Sequence, residues 1–219
     1  MSLFEYIAIL VSLVLGLSIS NTLTKVSLLL QFGQNLAKSW HVLVWSLLVL
    51  FSAVGYFFGF WTMYSDRKDI SILEFTIVPF FTAILFYLLS NFLPVNITEK
   101  SSNSISDYFL KYKNAFFLCF TLTWLQLLLA VNALGLTTQF SLLQQSQYVL
   151  PLILIAGVKL DNTPHHKKLA GFYAIIYVFQ ELIATSIEWT TTTPNMPKSC
   201  IQLSKLTLIF FILIRTNVW

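Results

Sequence analysis

The sequence predicts an all-α polytopic membrane protein, a transmembrane bundle of seven helices or, alternatively, six. Three observations carry that expectation. Hydrophobic residues make up 57% of the 219 and charged residues only 10%, where soluble domains carry about 25% charged. Mean hydropathy is +0.75. The apolar residues fall into separate runs of about 17 to 25, the length that crosses a hydrocarbon layer as a helix. Twenty Phe, six Trp and nine Tyr suit lipid-facing helices with aromatic anchors at the interfaces. No polar stretch is long enough for a soluble domain, so residues 1–219 read as one integral membrane domain.

Segment one covers residues 3–30. Its opening, MSLFEYIAILVSLVLGLSIS, has no basic n-region, places Glu5 where a signal peptide carries Lys or Arg, and lacks a small-residue cleavage motif, so it is expected to be retained. Segments two (40–64), three (70–93), four (114–136) and six (168–189) meet the spanning length. Segment five (140–158) begins with the polar SLLQQSQY and contains Pro151, and segment seven (200–215) is short and holds Lys205. Segments of that kind span, re-enter or lie at the interface. TTTTPNMP, residues 190–197, cannot continue segment six and reads as a turn.

Loop charges orient the chain. Lys25, Lys38, Lys100, Lys111, Lys113, Lys159, Lys167, Lys168 and Arg215 fall on one side; Arg67, Lys68, Lys198 and Lys205 fall on the other. Nine against four predicts an N-terminus outside and, with seven spans, a C-terminus inside. The same orientation puts Glu5, Asp66, Asp69, Glu74, Glu181 and Glu188 in the outer half. The basic residues are scattered among short loops, which fits a membrane orientation and not nucleic acid. The inner excess of positive charge attracts anionic lipid.

Small residues mark candidate packing faces: Ser12, Gly16 and Ser20 in segment one, and Gly55 and Gly59 in segment two. Spacing of four lets helix backbones approach closely. The expected use is packing inside the chain; a homo-oligomer through Gly55 and Gly59 is the alternative.

Segment six raises the functional question. Tyr173, Tyr177, Glu181, Ala184 and Glu188 share one helical face, so two carboxylates lie in line with two phenols that donate hydrogen bonds. An ionised carboxylate at mid-depth costs about 2.5 kcal/mol or more and must be paired, protonated or wet. Lys205 and Gln126 are the candidate partners; Gln180 points about 100° away from Glu181. Either Glu181 pairs with Lys205 and fixes helix packing, or it binds or relays a cation or proton. Glu5 and Glu74 sit in first turns, where the helix dipole favours a carboxylate; convergence with Glu181 and Glu188 would make an acidic vestibule attractive to cations.

His165 and His166, within KLDNTPHHKK, read as part of a solvated basic loop, and His41 beside Trp40 as interfacial. No Cys or carboxylate sits at metal-ligand spacing from both loop histidines. Cys119 and Cys200 are not expected to form a disulfide. No nucleophile elbow, zinc-protease motif or Gly-rich phosphate loop is present. The chain therefore reads as non-enzymatic, without metal or cofactor.

The opening Phe4-Glu5-Tyr6, followed by Ser12-Leu13-Val14-Leu15-Gly16-Leu17, resembles the first helix of a group of small bacterial polytopic membrane proteins of unassigned function. The resemblance covers about the first thirty residues and implies a bacterial inner membrane; it implies no activity. Seven spans with Lys205 in the last also resemble rhodopsins, but segment three has no mid-membrane carboxylate to serve as a counter-ion. The expected function is that of a transporter or channel-like protein for a cation or proton-coupled solute. An accessory subunit bound to a partner membrane protein is the alternative.

Overall fold

The computed structural model describes residues 3–31, 33–64, 79–94, 104–133 and 141–191. These form six helices and no strand: α1 (Leu3–Gln31), α2 (Gly33–Tyr64), α3 (Phe81–Phe92), α4 (Ser104–Ala133), α5 (Ser141–Lys159) and α6 (Thr163–Thr191). Segment seven lies outside the described residues. Two helical stretches, Phe4–Gln31 and Ser39–Trp61, are long and apolar enough to cross a membrane.

Several helices run past the apolar segments that mark them in the sequence, for local reasons. α4 begins ten residues before the expected 114, because Ile105, Phe109, Lys113, Phe116 and Phe120 recur at helical spacing and are all buried. That stripe extends through polar sequence, and Asp107 in the first turn complements the helix dipole. α6 begins at Thr163 and not 168; Asn162 accepts the backbone N–H of His165 at 3.1 Å and of His166 at 3.2 Å, with Pro164 in the first turn. α2 is broken at Ser39 (φ −118°, ψ 23°), close to the predicted start of segment two. α3 stops at Phe92 because Leu93 is extended (φ −73°, ψ 149°), as the following Pro94 requires. α5 runs continuously through Pro151.

α2 is the central helix and touches α1, α3, α4 and α6; α1 also packs on α3, α4 on α3 and α5, and α5 on α6. Trp45 of α2 is fully buried among Phe116, Phe117 and Phe120 of α4, at 5.1–6.4 Å between ring centroids, and Tyr173 of α6 at 5.1 Å. Edge-to-face and tilted contacts of this kind each add about 0.5–1.5 kcal/mol beyond area burial.

The polar and apolar surfaces are distributed unusually. Every helix carries large apolar side chains outward, among them Leu13, Leu17, Phe58, Leu88, Leu129, Leu152 and Ile175. The interior holds buried hydroxyls that bond the carbonyl one turn back: Thr22 to Ser18, Ser46 to Val42, Thr121 to Phe117 and Thr123 to Cys119, at 2.8–2.9 Å. Such bonds satisfy a hydroxyl without water.

The small residues are not where the closest approach among the described residues is found. A methyl group built on Gly16, Gly55 or Gly59 would meet no described atom within 4 Å. Gly16 and Ser20 face outward, and the Ser12 hydroxyl bonds its own helix at the Ala8 carbonyl, 2.5 Å away. The close approach is at Gly157 of α5, where a Cβ would stand 3.0 Å from Leu169 of α6 and 3.0 Å from Phe117 of α4. Packing faces follow where neighbouring helices sit, and spacing of small residues alone does not specify that.

Candidate functional site

Contacts between helices define two ends of the bundle. Phe4 stacks on Phe60 at 5.7 Å at one end. The other, basic end gathers Lys25, Lys113 and His166.

Two buried lysines hold helix C-termini there. Lys25 of α1 donates to the Ser90 carbonyl in the last turn of α3 at 2.5 Å, while Asn21 donates to the Ser90 hydroxyl and the Asn91 amide oxygen at 2.9 and 3.0 Å. Lys113 of α4 donates to the carbonyls of Val158 (3.3 Å) and Leu160 and to Asp161 at 2.6 Å. An ammonium at the negative end of a helix is favourable. The Lys113 side chain is 8% exposed and that of Asp161 88%, so the ammonium is the buried member and the carboxylate its solvent-side lid. The Lys113 hydrogen bond and charge hold the Asp161 carboxyl below its ordinary value.

His166 completes this latch. It is fully buried, donates Nε2–H to the Leu160 carbonyl at 2.8 Å, and stacks flat on Phe117 at 5.6 Å and 9°. Burial pushes its pKa below the ordinary 6.5. His41 is also fully buried, with its ring edge-on to Phe109 at 5.8 Å. The expectation of a solvated loop holds for exposed His165 and fails for His166, and His41, expected at the interface beside Trp40, is buried. Their positions in the register of α6 and α2 turn them onto the α4 aromatics.

A file of polar side chains leads inward from these histidines. Both ring nitrogens of His41, Nδ1 of His166 and Nε1 of Trp45 are buried without a hydrogen-bond partner among the described residues, and beyond them the buried Tyr173 hydroxyl pairs with the Trp124 indole N–H. Leaving such groups unmet costs about 1–3 kcal/mol each, and a run of them is a feature that packing alone does not require. Along α6 the buried positions are His166, Ala170, Tyr173, Ala174, Tyr177 and Gln180, a distance of about 21 Å at 1.5 Å per residue.

Of the residues that the sequence marks, Tyr173 and Tyr177 are buried on this file. Glu181 and Glu188 lie within α6 at register positions that continue it; their side chains lie outside the described residues. Gln180 is buried, on the same side of α6 as Tyr173. Gln126 is half-buried in α4, and Glu5 is exposed in the first turn of α1. Glu74 and Lys205 lie outside the described residues, so the Glu181 to Lys205 pair and the acidic vestibule do too. Lys113, Asp161, His166 and His41 are residues to which the sequence assigns no place in a site. The four-residue spacing of Ile105, Phe109 and Lys113 is the signal that places Lys113 inside.

Among the described residues no group of three or more His, Cys, Asp or Glu side chains could hold a metal ion. Cys119 is buried, and its thiol lies 3.5 Å from the Leu85 carbonyl. Compared with known proteins, the chain matches no family model, no curated protein and no solved structure.

Proposed function

We propose that the chain is a polytopic protein of a bacterial inner membrane, seven-spanning with its N-terminus outside, that carries protons or a proton-coupled solute through the α2–α4–α6 seam. The observation that carries this reading is the file of buried polar groups that runs from His41, His166 and Trp45, whose ring nitrogens lack partners among the described residues, to Tyr173 and Trp124. Its register runs on to the carboxylates Glu181 and Glu188. The seam is packed with aromatic rings, so a proton suits it better than a hydrated ion. Support for the membrane comes from the outward apolar side chains: only 33% and 44% of the apolar windows in α1 and α2 is buried, unlike the core helices of a soluble domain. The basic end then faces the cytoplasm by the positive-inside rule.

In vesicles containing a pH-sensitive dye, the protein is expected to dissipate an imposed pH gradient. Glu181→Gln and Tyr173→Phe are each expected to slow this about a hundredfold, as loss of a proton-transfer group does. Wild-type vesicles no leakier than empty ones would overturn the reading.

A second reading rests on a different observation. A methyl group built on Gly55 of α2 would meet no described atom within 4 Å, so Gly55 has room for a second copy or a partner membrane protein. An accessory subunit of that kind should lose its complex on Gly55→Leu, and an unaltered complex would sink this alternative.

A further inference from the structure

Three adjacent helices repeat one outward pattern. On α4, Lys111, Ala115, Leu118 and Leu122 are exposed at successive four- and three-residue steps. On α5 the exposed series is Lys159, Ile155, Leu152 and Tyr148, and on α6 it is Lys168, Phe172, Ile175 and Phe179. Residues so spaced lie above one another on a helix. Each stripe is therefore an apolar face that ends, toward the basic end, in a lysine.

The three lysines share a level. Lys113, half a turn from Lys111, is bonded to the carbonyls on either side of Lys159, and Lys168 lies less than two turns into α6 from the same link. The latch also draws the neighbouring carboxylate, Asp161, onto Lys113, which leaves the charge of the three exposed lysines uncompensated by it. Exposed Asp107 lies one turn further along α4. Among the described residues of α1 the pattern is not repeated. The outward face of α1 ends in Leu30 and Gln31, and its lysine, Lys25, is turned inside onto the Ser90 carbonyl.

We propose that this α4–α5–α6 edge is a docking site for an anionic phospholipid. Its phosphodiester headgroup would be held by Lys111, Lys159 and Lys168, with its acyl chains along Leu118, Ile155 and Phe172. Lysines extend their stems along apolar surface and keep the ammonium at the headgroup level, and each contributes to anionic-lipid attraction. The inference rests on the membrane reading and not on proton transport.

The test exposes the purified full chain in micelles to equal phosphatidylglycerol and phosphatidylcholine and reads the retained lipid by native mass spectrometry. Wild type is expected to retain phosphatidylglycerol with about a tenfold preference. The exposed triple variant Lys111→Gln, Lys159→Gln, Lys168→Gln should fall to parity, while Arg67→Gln with Lys68→Gln should keep the preference. Parity in wild type, or equal loss in both variants, overturns the site. Competition by soluble glycerol phosphate at matched concentration would assign it to free phosphate and overturn the lipid. Flotation with pure phosphatidylcholine vesicles separates the two failures: a protein that does not float refutes the membrane reading, and one that floats without lipid preference refutes only this inference.

Discussion

Lys113→Met isolates what the latch at the basic end contributes. The methionine keeps the length and apolar stem of the lysine but cannot donate, so the carbonyls of Val158 and Leu160 lose a charged donor that is itself buried. Hydrogen bonds to a charged group contribute about 1.5–3 kcal/mol each. Leu160 keeps its bond from His166, so the low end applies, and the expected loss is about 2 kcal/mol. For a chain of this size that is a fall of about 4–8 °C in Tm. Asp161→Asn removes only the exposed partner, where solvent screens the pair, and should lower Tm by clearly less. Thermal unfolding in detergent followed by circular dichroism measures both. Equal losses, or a larger loss for Asp161→Asn, would refute the view that Lys113 acts chiefly as the cap of α5.

Three further outcomes are expected. Gly157→Ala should cost about 1–3 kcal/mol through overpacking, because Phe117 is wedged between Trp45 and His166 and cannot retreat; Gly55→Ala should be neutral or stabilising, by up to about 1 kcal/mol, since only helix propensity changes. Stability should be pH-dependent: the folded pKa of His166 lies below its unfolded value, so the unfolded state binds more protons as pH drops through 6.5 and below, and stability present above that value is lost. His166→Gln should flatten that part of a Tm-against-pH curve, and an unchanged slope would contradict the assignment. Lys25→Met should loosen the α1–α3 contact, read as faster amide exchange at the end of α3 than in wild type; unaltered exchange there would count against the cap.

Helix content, and most helix positions, were legible because apolar runs separated by polar links leave few other solutions. Boundaries were misread where amphipathic spacing carries a helix beyond its apolar part, as from Ile105 to Lys113. The stripe of Tyr173 and Tyr177 was legible, since a single helix fixes which of its residues share a face. The latch was not: Lys113 and Asp161 are 48 residues apart, and only the packing of α4 on α5 brings them together. His166 was misread for a related reason, since neighbouring lysines give a loop a solvated look whichever way one ring is turned. The glycines show the limit from the other side: a four-residue spacing offers a close approach, and the neighbour decides whether it is taken.

The central claim is that the link between α5 and α6 lies across a membrane from the start of α1. Single cysteines introduced as Ser2→Cys or Asn162→Cys, in a background with Cys119→Ala and Cys200→Ser, would be tested in intact cells with a membrane-impermeant maleimide. The account predicts labelling of the Ser2 variant from outside and of the Asn162 variant only after permeabilisation. Labelling of both from the same side would contradict it.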